Sequence, residues 1–302
     1  MVPWSPHDVG EIVAIGKDGL RHCRQALDRI SGLSGEAAAA LLDDGITLAA
    51  EQARLASPVL RPGLIMLGGR SYFSHLEEMS KKYTQSASFA PPEPNAFNQS
   101  PNSVIGSGEP IILPLPSPDM VDYEAELAVV FGRRCHAVTE EEVRACIAGF
   151  TLMNDVSARD WNASAQTPSG AVDFTKIRLG KQFPTFCPVG PAMTTIDEFD
   201  DFGDIVFDCR VNSELVQSGS TADLVFSIER MISYYAQWHV FKPGDIFSMG
   251  TPAGVGHARE PSVFLKAGDV VEVSSPLIGR LRNVVERAPP QFSERRKLQC
   301  GS

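Results

Sequence analysis

No apolar run in this sequence approaches the roughly 20 residues that a helix needs to cross a bilayer. The opening Met1 to Gly10 mixes Pro, His and Asp where a secretory leader carries a basic stretch followed by an apolar one. A cytoplasmic protein without a membrane partner is therefore expected. The six cysteines include no C-x-x-C pair, so neither a zinc cluster nor a disulfide framework has support. Positive charge is also short, with 27 Lys and Arg against 37 Asp and Glu and a net charge of -10. That balance argues against a broad footprint for nucleic acid or anionic membrane, while leaving room for a focused basic pocket. The G-x-S-x-G elbow, the H-E-x-x-H helix and the Walker lysine are absent, which removes support for serine esterases, zinc proteases and P-loop nucleotide binding.

What is present is 302 residues with 43% apolar content, enough to bury a full core. Residues 1–60 are Ala- and Leu-rich and form a small N-terminal domain or extension, with helix-like stretches near Gly19 to Ile30 and Glu36 to Ala56 broken at Ser31-Gly32 and Asp44-Gly45. Punctuation at Ser57-Pro58 and Arg61-Pro62-Gly63 precedes a second region, 61–290, of short β-like segments. These include Leu64 to Leu67, Ile111 to Leu115, Glu126 to Phe131, Ile205 to Val211 and Val270 to Ser274. Helices are expected near Thr139 to Ile147, with Thr139 as N-cap, and near Ser227 to Trp238. Residues 291–302 read as a tail. The class is α+β and β-rich.

In Val121-Asp122-Tyr123-Glu124-Ala125-Glu126-Leu127, apolar residues alternate with acids before the strand becomes continuously apolar. Side chains alternate faces along a strand, so Glu124 and Glu126 point the same way about 7 Å apart. Two carboxylates entering a buried strand repel each other unless they are protonated or bridged by a cation. An isolated E-x-E is more often a solvated acidic edge. Asp155 shifts that balance, because it follows the apolar Phe150-Thr151-Leu152-Met153 at an expected strand end, where a rigid scaffold presents a ligand. Three acids with room for substrate oxygens suit Mg²⁺ or Mn²⁺, with Ca²⁺ also compatible.

His75 and Glu78 stand three apart in Gly69-Arg70-Ser71-Tyr72-Phe73-Ser74-His75-Leu76-Glu77-Glu78 and meet on one helical face, where the carboxylate can orient the imidazole as a general base. A surface ion pair is the blander reading. Ser74 and Glu77 fit a capping box, which makes Glu77 structural. In Gly250-Thr251-Pro252-Ala253-Gly254-Val255-Gly256 the glycines and the Thr251 hydroxyl suit an anion-cradling loop rather than a nucleotide fingerprint.

In chain order, G-R-x-Y-x-x-H-x-x-E, P-N-S at Pro101 to Ser103, E-x-E, N-D-V-S-A-R-D, G-K-x-F-x-T-F-C-P-x-G-P and G-T-P-A-G-V-G resemble the fumarylacetoacetate hydrolase family over about Leu64 to Val285. The resemblance implies a mixed β-roll catalytic domain, usually a homodimer. It also implies that Glu124, Glu126 and Asp155 are metal ligands, that His75 with Glu78 activates water, and that Lys181 stabilises enolate charge. Arg70, Tyr72, Arg159 and Thr251 would meet the substrate. Ser71, Gln99 and Asn162 depart from the residues the family usually carries, on segments expected to face substrate.

The expected reaction is hydrolysis of a carbon–carbon bond in a small acidic 1,3-dicarbonyl, an acylpyruvate or a fumarylacetoacetate-like acid, with expulsion of an enolate. Decarboxylation of an oxaloacetate-like 2-oxo acid is the rival, and isomerisation or dehydration of a 2-oxo acid uses the same kind of enolate. A non-catalytic binding protein is the remaining alternative. The Ser-, Thr- and Gly-containing stretch Asn162 to Leu179 reads as a lid over the site, or as a passive surface loop.

Overall fold

The computed structural model describes residues 8–45, 47, 53–82, 90–115, 119–163 and 174–289. Three helices come first: α1 Val9–Ala14, α2 Lys17–Ser31 and α3 Gly35–Asp43. Asp8 caps the first, its carboxylate accepting the Glu11 N–H at 2.8 Å. Helix α3 ends just before Asp44-Gly45, as the expected break has it, and residues 53–56 are not helical.

The strands follow. The first five are β1 Ile65–Gly68, β2 Ala96–Gln99, β3 Val104–Ile105, β4 Ile111–Leu113 and β5 Val121–Asp122. Then come β6 Ala125–Phe131, β7 Ile147–Asn154, β8 Ser157–Ala158, β9 Cys187–Thr195 and β10 Val206–Val211. The last four are β11 Glu214–Ser220, β12 Ile246–Ser248, β13 Val270–Ser275 and β14 Gly279–Arg287. Interleaved are helices α4 Phe73–Lys82, α5 Glu140–Val143, α6 Arg159–Ala163, α7 Phe174–Leu179 and α8 Ile228–Tyr235. A seven-stranded mixed sheet runs β2-β1-β12-β6-β7-β9-β3, a five-stranded sheet runs β11-β10-β13-β14-β4, and β5 pairs with β8. The expected α+β, β-rich class is the one observed.

Strand β6 explains the continuous apolar run. Leu127, Val129 and Phe131 enter one core cluster, whereas Ala128 and Val130 enter a second on the other face. A strand covered on both faces has no solvent side on which to alternate polar residues. Its partner β7 behaves alike, and Gly149 there shows how tightly β9 is pressed against it: a Cβ at that position would lie 2.0 Å from the Thr194 carbonyl oxygen.

Two local expectations are corrected. The helix beginning at Thr139 has four residues and passes into a 3-10 turn, because Ile147 is already paired with Phe131 in the sheet. Thr139 still receives the reciprocal contact of a cap, its N–H donating to the Glu142 carboxylate at 2.9 Å. Ser74 and Glu77 do not form a capping box: Ser74 lies inside α4 and its hydroxyl accepts the Ala253 N–H, while exposed Glu77 pairs with Lys81 at 2.8 Å. The stretch expected to be a lid is bounded by α6 and α7, and its residues 164–173 lie outside the described residues, as does the 291–302 tail. Among the described residues no helix is long and apolar enough to cross a membrane.

Candidate metal centre and active site

Register brings the acids together. Ala125 pairs with Asn154 and Glu126 with Met153, so Glu124 and Asp155 extend from adjoining ends of β6 and β7. The Asp155 N–H donates to the Glu124 carbonyl at 2.8 Å, and the Glu124 N–H donates to Asn154 Oδ1 at 3.0 Å. These ties hold Glu124 and Asp155 beside Glu126 of β6, and candidate ligand oxygens of the three carboxylates lie within 4.8 Å of one another. All three residues are buried, at 6%, 1% and 2% exposure for Glu124, Glu126 and Asp155.

Their electrostatics diverge. Burial, reinforced by Asp155 and Glu124, pushes the Glu126 carboxyl well above the usual range. Burial also raises Asp155 to about 7, against the pull of Lys181. Glu124 goes the other way: although burial opposes its charge, the Lys181 ammonium and Arg159 guanidinium hold it below the usual range. Asp155 Oδ1 is buried with no hydrogen-bond partner. An all-oxygen donor set, mutual repulsion and an orphaned carboxylate oxygen fit a hard divalent cation.

Lys181 follows α7, and its ammonium lies 2.7 Å from Glu124 Oε2 while also contacting Asp155 Oδ2. The Phe97 ring centroid sits 5.7 Å from that nitrogen. Gln99, one of the unusual residues, is buried and donates to the Lys181 carbonyl at 2.6 Å, so it fixes the backbone that carries the ammonium. Across the site, α4 brings His75 Nδ1 to 3.3 Å from Glu78 Oε2. Glu78 is anchored in turn by the Gly254 N–H at 2.8 Å, and His75 lies near enough to Glu124 to favour that carboxylate's charge.

The four residues expected to meet substrate are placed differently from one another. Arg159 is buried between two acids, with Nε 2.9 Å from Asp122 Oδ2 and Nη2 2.5 Å from Glu124 Oε1, so it orients an acid of the triad. The Thr251 hydroxyl donates to the Ala125 carbonyl at 2.9 Å and accepts from Gln217 Nε2 at 2.9 Å. In this arrangement its proton goes to the start of β6, and the hydroxyl ties the loop to the strand. Tyr72 is fully buried, and its hydroxyl has no hydrogen-bond partner; burial, with Glu126 and Asp223, pushes its pKa up. Arg70 stands exposed at the turn after β1, with a positive φ of 56°.

Sequence reasoning passed over Asp122, although it shares the alternation of the two glutamates. Wholly buried, it accepts N–H groups from Tyr123, Gly256 and His257 at 2.8, 2.8 and 2.9 Å as well as the Arg159 guanidinium. Ser248 was also passed over; its hydroxyl donates to the Glu126 carboxylate. No spacing rule links either residue to its partner, because the contacts cross between strands and loops distant in sequence.

Residues 65–286 match the family model described as fumarylacetoacetate (FAA) hydrolase C-terminal. A Xenopus laevis protein named oxaloacetate tautomerase fahd2, mitochondrial, is 35% identical over 94% of this chain and 80% of its own length. The Homo sapiens protein named oxaloacetate tautomerase FAHD2A, mitochondrial, is 39% identical over 76% of this chain and 68% of its own. Among solved structures, a probable 2-hydroxyhepta-2,4-diene-1,7-dioate isomerase from Mycobacterium abscessus superposes with TM-score 0.70 at 29% identity, covering 93% of this chain and 89% of that one. A fumarylacetoacetate hydrolase from Exiguobacterium antarcticum gives TM-score 0.67 at 32% identity, covering 80% of each chain.

Proposed function

This chain belongs to the fumarylacetoacetate hydrolase family, and from that premise we propose that it interconverts the enol and keto forms of a small 2-oxo dicarboxylic acid of the oxaloacetate kind. The observation that carries this reading is the buried triad of Glu124, Glu126 and Asp155 with the Lys181 ammonium 2.7 Å from one of its oxygens. The names of the relatives favour isomerisation among the reactions such a site supports.

The triad would hold a divalent cation, Mg²⁺ in this proposal with Mn²⁺ or Ca²⁺ as substitutes, which supplies Lewis-acid polarisation of the substrate's oxo and carboxylate oxygens when bound. The chain's own groups then divide the proton work. His75 Nδ1 is engaged by Glu78, which leaves Nε2 as the atom that takes a proton from the carbon beside the oxo group or returns it. The Lys181 ammonium supports negative charge on the enolate oxygen, whose own proton would be exchanged with solvent while His75 serves the carbon. Arg159 keeps Glu124 in place, and the bonds from Asp122 keep Arg159 in place.

A second reading is hydrolysis of an acylpyruvate, favoured by the same dyad at 3.3 Å, since that imidazole can activate water. Decarboxylation would use the triad and Lys181 without the dyad. The test is to supply freshly prepared enol oxaloacetate with Mg²⁺ and to follow enol absorbance and pyruvate release separately, with acetylpyruvate assayed in parallel. Rapid enol loss without pyruvate supports the tautomerase; pyruvate and acetate from acetylpyruvate, with the enol untouched, support the hydrolase. A homodimeric state and a cytoplasmic location are further proposals. Light scattering tests the first, and cell fractionation tests the second against the mitochondrial placement in the relatives' names.

A further inference from the structure

Between the N-terminal helices and the ends of β6, β7 and β9 lies an open cavity of about 530 Å³ that no motif above touches. Its floor is apolar, made by Val13 of α1, Leu20 of α2, Ile147 at the start of β7 and Ile196 in the turn after β9. The volume falls within the range of about 300–1,000 Å³ that small-molecule sites occupy. The triad is remote from it. Ile147 opens the eight-residue strand β7 and Asp155 follows its far end, so the two places are separated by roughly 23 Å of strand.

The rim is charged, and chiefly of one sign. Lys17, Arg24, Arg133 and Arg144 line it against one acid, Asp197, a balance of +3 in a chain whose net charge is -10. Asp197 is already neutralised, because Arg24 pairs with it. The Arg144 guanidinium donates to the carbonyls of Asp200 and Ile196 at 3.2 and 3.3 Å and to that of Phe199, and it sits 5.0 Å from the Phe202 ring centroid. Neutral partners thus hold its charge in place without cancelling it. Among the described residues the side chains of Lys17 and Arg133 have no acid or carbonyl partner. Both are exposed. Solvated cations are ordinary on a surface; here two of them border an apolar floor beside a third that is fixed.

We propose that this cavity binds a nucleoside diphosphate, its base on Leu20, Ile147 and Ile196 and its phosphates at Lys17 and Arg133 in the field of Arg144. Charge and size select that class. A monocarboxylate would leave most of the positive charge unmatched, and a short dicarboxylate would leave the floor bare. Arginine forks and a lysine bind phosphate through side chains, so the absence of a Walker loop is no obstacle. The site is independent of the reaction assigned above.

The test is calorimetry on the full chain with ADP, pyrophosphate and adenosine as separate probes, in Mg²⁺ and again in chelator. ADP is expected to bind at least about tenfold more tightly than either fragment, because it alone engages both rim and floor. Binding is expected to persist in chelator and to weaken at high salt, since exposed side chains of the chain carry it. Lys17→Glu and Arg133→Glu, at positions where the fold is not at stake, are each expected to weaken ADP about tenfold or more, with Arg133→Lys retaining most of the affinity. Ile196→Ala is expected to weaken ADP and leave pyrophosphate unchanged. Pyrophosphate that binds as tightly as ADP reduces the cavity to an anion-attracting patch and overturns the proposal. ADP binding that requires Mg²⁺, or that survives both charge reversals, places the nucleotide elsewhere and overturns it too, as does wild-type protein that binds no ADP. None of these outcomes bears on the triad chemistry.

Discussion

The Lys181 ammonium and the Glu124 carboxylate lie 2.7 Å apart, both buried, and Glu124 is at the same time a corner of the acid triad. Under the proposed function, one cationic side chain and a divalent ion would therefore act on the same oxygens. Lys181→Met leaves Glu124 and Asp155 short of a positive partner in a low-dielectric site, and breaking a buried pair in this way costs about 3–5 kcal/mol. Metal-stripped Lys181→Met is expected to unfold at lower urea than wild type, and added Mg²⁺ is expected to recover more stability in the variant than in wild type. Equal midpoints for the two stripped proteins would show that Lys181 is not balancing the triad.

The proposed metal ligands give a sharper test. Glu126→Gln removes one charged oxygen donor from a hard-cation site and is expected to weaken Mg²⁺ or Mn²⁺ binding by at least tenfold in calorimetry. Chelator treatment is expected to abolish turnover, with either ion restoring it. Unaltered affinity in Glu126→Gln would reduce the acids to a structural cluster.

Asp155 sets a pH dependence for the metal-stripped protein. Its carboxyl is raised from an ordinary 3.8 to about 7 in the folded chain, chiefly by burial. Between those values the folded state binds more protons than the unfolded one, so the stability from this group is present below pH 4 and is lost as pH rises through 7. Glu124, held low, titrates beneath that window; Glu126, raised well above its usual range by burial, adds to the fall, and His257, lowered from 6.5 to about 4 by burial, opposes it only below about pH 6.5. Urea midpoints in chelator are expected to fall from pH 5 to pH 7.5, and Asp155→Asn is expected to flatten the slope. A slope that Asp155→Asn leaves unchanged would mean that Asp155 is ionised throughout.

The fold offers a prediction independent of chemistry. At Gly149 an added methyl group would meet the Thr194 carbonyl at 2.0 Å, and that carbonyl belongs to strand backbone. Neither strand can retreat, since β7 is buried along its whole length and paired with both β6 and β9. Gly149→Ala is expected to cost about 1–3 kcal/mol in chemical denaturation. A neutral substitution would mean that the β7–β9 pair separates easily.

Much of this architecture was legible because it depends on local pattern. The E-x-E alternation placed Glu124 and Glu126 on one face, and the apolar run ahead of Asp155 located a strand end. The i, i+3 spacing of His75 and Glu78 matched a helical turn that exists. Illegible were the contacts made by tertiary closure. Thr251 has the composition of an anion-binding loop, yet its proton goes to Ala125. Arg159 is the type of residue that grips a substrate carboxylate, yet here it bridges Asp122 and Glu124. Ser74 matched a capping box, but its hydroxyl is taken by Ala253 from a loop far along the chain. In each case a polar side chain had several chemically equivalent partners, and only packing chose among them.

The dyad decides between the reaction classes. His75 Nδ1 faces Glu78 Oε2, and Glu78 is fixed by Gly254, so the imidazole is oriented before substrate arrives. In the proposed function both tautomerisation and hydrolysis would use a proton moved by that ring, whereas decarboxylation would use only the triad and Lys181. His75→Ala is therefore expected to lose roughly 10²- to 10⁴-fold in kcat on enol oxaloacetate or on an acylpyruvate, whichever is the better substrate. Glu78→Gln should cost less, because the ring survives and only its orientation weakens. On decarboxylation the order reverses, and Lys181→Met should be the more damaging change. Steady-state rates of the three variants on both substrates, with Mg²⁺ affinity measured to show that the triad is intact, separate these cases. If His75→Ala keeps near-wild-type kcat on the preferred substrate, the pair is only an ion pair beside the site and proton transfer must be assigned to another group.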